Sequence, residues 1–106
     1  MTTKPGEIYR VDLGMAGKVR LMIVLSREDE DAPRALSVCA PITTANRGSS
    51  YEVELPRLHF LPERSFVNTQ GLQAIQHHEL SQKPVGVLSG AALESVYNAV
   101  RYLFDV

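Results

Sequence analysis

Ser89-Gly-Ala-Ala-Leu-Glu-Ser-Val-Tyr-Asn-Ala-Val-Arg-Tyr-Leu-Phe104 decides how the chain is read, because here the apolar pattern turns helical. Leu93, Val96, Val100 and Leu103 follow one another at spacings of three, four and three, which places them on one helix face. Ser89 stands where an N-cap belongs. The spacing predicts an amphipathic helix of roughly four turns that ends near Phe104.

Working back from that helix, the first two thirds of the chain read as short strands broken by Gly, Pro, Asn and Asp. Tyr51-Glu-Val-Glu-Leu55 alternates strictly, the signature of a half-buried strand. Glu7-Ile-Tyr-Arg-Val-Asp-Leu13 sets Val11 and Leu13 against Arg10 and Asp12, and Gly14-Met-Ala-Gly17 reads as the turn that follows. Val19–Ser26 is almost wholly apolar and suits a central strand covered on both faces. Ala35–Ala40 is a third strand that Pro41 is expected to end, since proline cannot donate to a ladder. Ser65–Asn68 and Leu72–Ile75 supply two more around Gly71. Five or six short strands followed by one helix indicate a mainly β chain, a small and strongly bent sheet or barrel capped by the C-terminal helix.

The 106 residues, 44% hydrophobic and 22% charged, fit one soluble globular domain spanning 1–106. The apolar run Leu21–Leu25 is far short of the ~20 residues needed to span a membrane. Met1-Thr-Thr-Lys-Pro-Gly6 lacks an apolar signal core, so a cytoplasmic protein is expected. The lone Cys39 lies in an apolar run and reads as a buried thiol in a reducing compartment. Net charge is −1, which does not announce a nucleic-acid binder. Four of the twelve acids lie in Glu28–Asp31, a solvated loop, and the remaining surface is mildly basic.

Metal and nucleotide chemistry find little support. His59, His77 and His78 have no metal-site spacing with the single cysteine, so no metal and no cofactor are expected. Walker, GxGxxG, GxSxG and HExxH patterns are all missing. Three segments instead place polar residues at strand ends: Lys18-Val-Arg20, Pro41-Ile-Thr-Thr-Ala-Asn-Arg-Gly48 and Asn68-Thr-Gln-Gly71. Such residues commonly line a groove. From the residues alone the local reading is favoured: Thr43 and Thr44 form side-chain turns, and Asn68 and Gln70 satisfy local backbone groups.

In this order the segments resemble the MazF/PemK (Kid) family of toxin–antitoxin ribonucleases. Pro5-Gly-Glu-Ile-Tyr-Arg-Val-Asp-Leu13 resembles the family's opening strand, and Val19-Arg20-Leu-Met-Ile-Val-Leu-Ser26 its "R-P-x-x-V-L-S" strand. Ala40-Pro-Ile-Thr-Thr44 resembles "P-I/V-T-T/S". Phe66-Val-Asn-Thr-Gln70 with Leu72-Gln-Ala-Ile75 resembles "V-x-x-x-Q-x-R-T-I", and Gly86-Val-Leu-Ser89 with the helix resembles the family's close. The resemblance implies an SH3-like barrel forming a homodimer, and a sequence-specific, metal-independent endoribonuclease cutting single-stranded mRNA to a cyclic phosphate and a 5′-hydroxyl. It makes Arg20 and Thr43 the catalytic residues and Gln70 part of the RNA site. Thr44, Asn46, Arg47, Lys18 and Asn68 join them as candidate RNA contacts. It also implies a cognate antitoxin that lays an acidic, partly disordered segment across the groove.

The sequence departs from the family at three points. The first loop is short, Leu21 replaces the proline after the arginine, and Val67 and Thr69 stand where the PemK branch has an arginine and an aspartate. Two alternatives share the fold: a gyrase-inhibiting toxin like CcdB, and a non-catalytic barrel that binds RNA or antitoxin. CcdB-like chains end in a tryptophan-containing tail, whereas this one has no tryptophan and ends Leu103-Phe-Asp-Val106.

Overall fold

The computed structural model describes residues 1–12 and 19–106. Leu13, the turn expected at Gly14-Met-Ala-Gly17 and the candidate contact Lys18 lie outside the described residues. The elements are β1 (Glu7–Asp12), β2 (Val19–Val24), β3 (Leu36–Thr43), β4 (Glu52–Glu54), β5 (Phe66–Asn68), β6 (Gln73–Gln76), β7 (Gly86–Val87) and α1 (Gly90–Phe104). Single 3₁₀ turns at Thr69–Gly71 and His77–Glu79 precede and follow β6.

The strands form a curled, half-barrel antiparallel sheet in the order β4-β5-β3-β2-β1-β7, with β6 also on β3. β1 and β2 pair Ile8 with Ile23 and Arg10 with Leu21. β3 changes partner along its length: Leu36–Cys39 lie against β6, and Ile42 and Thr43 lie against β5. Alternate side chains leave a strand on opposite faces, so the sheet carries two apolar clusters. Ile8, Ile23, Ala40, Ile42 and Val67 point inward to Leu55, Leu61, Leu88 and Val96 of α1. Tyr9, Val11, Met22, Val24, Cys39 and Ile75 fill the other face with Leu80. β2 is therefore covered on both faces from Met22 to Val24 as its composition requires, but its first residues, Val19 and Arg20, are exposed.

Pro41 does not end the third strand; β3 continues through it to Thr43. Leu25 N–H donates to Val38 O, so residues 38, 40 and 42 turn their backbone groups toward β2 and residue 41 turns its own the other way. On that side β6 has left and β5 has not yet begun, and the Thr69–Gly71 turn fills the gap. A missing N–H costs no ladder bond there.

α1 spans the expected residues, with Val96 and Ala99 buried. The Tyr97 hydroxyl donates to Leu25 O at 2.6 Å, tying the helix to the strand core. Ser89 occupies the N-cap with extended dihedrals, yet its hydroxyl makes no cap bond. The acids Glu28–Asp31 are exposed, as expected of a solvated loop.

Candidate functional site

The pairing of β2 with β3 brings together the two residues marked most strongly by the sequence. Met22 faces Pro41, and extending that register by two residues along each strand sets Arg20 across from Thr43. Both line two adjoining cavities of about 490 and about 360 Å³. They form the divide between them.

The larger cavity is walled by Val19, Leu21, Ile42, Phe60 and Leu61, with Thr44, Glu63 and Ser65 as its polar members. The smaller is polar, lined by Arg47, Ser49, Glu52, Asn68 and Gln70 beside Pro41 and Tyr51. Of the candidates read from the sequence, Arg20, Thr43, Thr44, Arg47, Asn68 and Gln70 thus gather around one two-lobed groove. Asn46 lines neither cavity; its Oδ1 accepts from Gly48 N–H at 2.9 Å, where Gly48 holds a positive φ of 69°.

The local bonds explain how these side chains are held. Thr43 Oγ1 accepts from Ala45 N–H at 3.1 Å, and Asn68 Oδ1 accepts from Gln70 N–H at 3.1 Å. The side-chain turns weighed from the sequence are therefore present at both positions. They leave the Thr43 hydroxyl hydrogen and the Asn68 amide hydrogens to donate into the groove. Arg20 is exposed and forms no ion pair among the described residues, whose pairs are Arg64–Glu54 and Arg101–Glu94.

Glu52, which sequence reading passed over, organises the loop that carries Arg47. Its carboxylate accepts from Ser49 Oγ at 2.7 Å and from the N–H groups of Arg47 and Ser49 at 3.0 and 3.1 Å. The Ser49 hydroxyl, then the Arg47 amide, hold its carboxyl below the usual carboxylate range. Thr69 fixes the next turn, donating both N–H and Oγ1 to Tyr51 O. Strict alternation at 51–55 was a signal for the strand alone; nothing in it marked Glu52 as an anchor.

His77 and His78 do not converge on a common point. His77 Nε2 bonds Ser37 Oγ and His78 Nε2 bonds Gln76 Oε1. Among the described residues no group of three or more His, Cys, Asp and Glu is placed to hold a metal ion. No helix among them is long and apolar enough to cross a membrane. Cys39 is fully buried, and burial pushes its thiol up to about 12.

No family model and no curated relative matches the chain. Solved structures do. A mycobacterial endoribonuclease in complex with its cognate antitoxin superposes with a TM-score of 0.84 at 20% identity, over 98% of this chain and 96% of that one. Mycobacterium tuberculosis toxin MazF-mt6 gives 0.79 at 27% identity, over 94% and 97%. The MazE–MazF complex of Deinococcus radiodurans gives 0.78 at 18% identity, over 98% and 96%. The motifs on β1, β2, β3 and β5–β6 and these likenesses point the same way: the chain is MazF-like, built on the fold of the MazF toxins along nearly its whole length.

Proposed function

We propose that this chain is the toxin of a type II toxin–antitoxin system and an endoribonuclease that cuts single-stranded RNA at the divide formed by Arg20 and Thr43. The observation that carries the reading is that Arg20, which makes no ion pair among the described residues, and Thr43 line the same two adjoining cavities, which can seat the chain flanking one phosphate.

Such a site needs no protein nucleophile and no metal. The 2′-OH of the nucleotide loses its proton to water and attacks its own 3′-phosphate, a new P–O2′ bond forms, and the P–O5′ bond breaks as the departing O5′ takes up a proton from water. The products are a 2′,3′-cyclic phosphate and a 5′-hydroxyl. The protein's share is to align this attack and to stabilise the charge gathering on the phosphoryl oxygens. A guanidinium's planar fork suits two such oxygens, and it stays protonated throughout, so Arg20 acts as an electrostatic clamp rather than a base. Thr43 keeps its O–H as a donor to the phosphate because its oxygen is already engaged by Ala45 N–H. Gln70, Asn68 and Arg47 supply hydrogen bonds and charge along the smaller cavity, and Thr44 does so in the larger.

The same groove suits regulation by an antitoxin whose acidic segment covers Arg20 and Arg47. The structural neighbours include complexes with an antitoxin and with MazE. A homodimer in the cytoplasm belongs to this reading. Leu36 and Val38, two residues apart on one face of β3, stay 39% and 37% exposed and offer apolar surface to a second copy.

The test is incubation of the purified protein with a long single-stranded RNA in EDTA, beside Arg20→Ala. Discrete fragments bearing 5′-hydroxyl ends, missing with the variant, support the reading. Intact RNA in both tubes removes it and favours a protein target. Equal cutting in both removes Arg20 from the chemistry.

A further inference from the structure

We propose that the 490 Å³ cavity beyond Arg20 and Thr43 is a nucleobase subsite, and that Glu63 selects which base flanks the cut. The inference rests on the ribonuclease reading above and adds to it a specificity-determining residue that no sequence motif marks.

Three observations carry it. The cavity shares Arg20 and Thr43 with the polar groove, so an occupant is continuous with whatever phosphate those residues hold. Its volume lies within the roughly 300–1,000 Å³ usual for small-ligand pockets. Its lining combines the apolar side chains of Leu21, Ile42 and Phe60 with Glu63 and the three hydroxyl residues Thr43, Thr44 and Ser65. Apolar walls meet the faces of a base, and a few polar groups read its edge.

The Glu63 backbone is held in place by the loop that bears it. Leu55 N–H donates to Ser65 O and closes the loop, and the Arg64 guanidinium grips Glu54 with two bonds of 2.7 and 2.8 Å across its base. Ser65 Oγ donates to Glu63 O at 2.9 Å. Phe60 lies against Gly86, where a Cβ would collide with its ring. The loop therefore needs no reordering to receive a base, which keeps its discrimination from being lost to entropy.

A carboxylate only accepts hydrogen bonds, so Glu63 favours a base whose edge donates. Guanine offers N1–H beside an amino group, and adenine and cytosine each offer an amino group. Uracil presents its one donor between two carbonyl oxygens and fits worst.

The experiment maps 5′-hydroxyl ends after digestion of an RNA library randomised in sequence, with wild-type protein and with Glu63→Gln. Glu63 is exposed, so the substitution leaves the fold intact. The wild type should disfavour uracil at one of the two positions flanking the cut, and the variant should change uracil use there by about tenfold and at no other position. Unchanged base preference in the variant overturns this inference and leaves the ribonuclease reading standing. A variant altered only in antitoxin affinity overturns it in favour of a peptide pocket. Uncut RNA with the wild type removes both.

Discussion

Replacing Gly71 by alanine should destabilise the protein through one ring, that of Pro41. A Cβ at Gly71 would lie 2.6 Å from Pro41 Cγ and 2.9 Å from Cδ, against an ordinary carbon contact of about 3.5–4.0 Å. The ring cannot rotate aside, and Pro41 sits in β3 between Ala40 and Ile42, both buried in the core. Overpacking of this kind costs about 1–3 kcal/mol. Gly71 does not hold a positive φ, so alanine also restricts the unfolded chain and returns about 0.4–1 kcal/mol. The net loss is about 1–2 kcal/mol, a fall in Tm on the order of 5–15 °C for a chain of this size. In a Pro41→Ala background the obstructing atoms are gone, and Gly71→Ala should be neutral or slightly stabilising. Thermal and urea unfolding of the four proteins measures the coupling. Strictly additive losses would mean that the Pro41 ring and the Gly71 position do not meet.

Other consequences concern titration and the Arg47 loop. Burial raises the Cys39 thiol to about 12, and burial followed by the bond to Glu7 raises Tyr9 to about 12. The native state keeps protons that the unfolded chain releases from about pH 8.5–10, so the unfolded state binds fewer and stability falls with rising pH across that range toward 12. Tm measured from pH 7 to 11 should decline above pH 9, and native Cys39 should react with thiol reagents only on unfolding; a flat profile with rapid labelling would sink both statements. Glu52 titrates below the usual carboxylate range, so its contribution is present above the unfolded value of about 4.3 and is lost as pH falls through the folded one. Glu52→Gln should speed amide exchange at Arg47 and Ser49 and raise KM for RNA with little change in kcat. Unaltered exchange there would show that the carboxylate does not hold the loop.

Alternation and helical period carry direct information about which face is buried, and that is why the places of β1, β4 and α1 were legible, although β4 is only Glu52–Glu54, shorter than the expected Tyr51–Leu55, with Glu52 and Val53 both half-buried. Pro41 was misread because its effect depends on which neighbour its nitrogen faces. That is settled by the departure of β6 and arrival of β5, some thirty residues away in the chain. The groove was legible in part. Arg20, Thr43 and Gln70 stand out through a family resemblance, while the residues alone favoured local turns; Thr43 and Asn68 in fact make those turns and line the groove as well. Phe60 and Glu63 carry no periodic signal. Their place in the larger cavity follows from Phe60 packing on Gly86 and from the Glu54–Arg64 pair, contacts between segments that no local pattern announces.

The central claim is that Arg20 and Thr43 promote attack by the substrate's own 2′-OH. The direct measurement uses a short RNA containing one mapped cleavage site, and a second RNA identical except for a 2′-deoxy sugar at the nucleotide 5′ to the cut bond. With EDTA present, the all-ribose strand should be cut to a cyclic phosphate and a 5′-hydroxyl, and the substituted strand should survive. Cutting of the deoxy-substituted strand at the same bond would contradict the account, since it would require a nucleophile other than the 2′-OH.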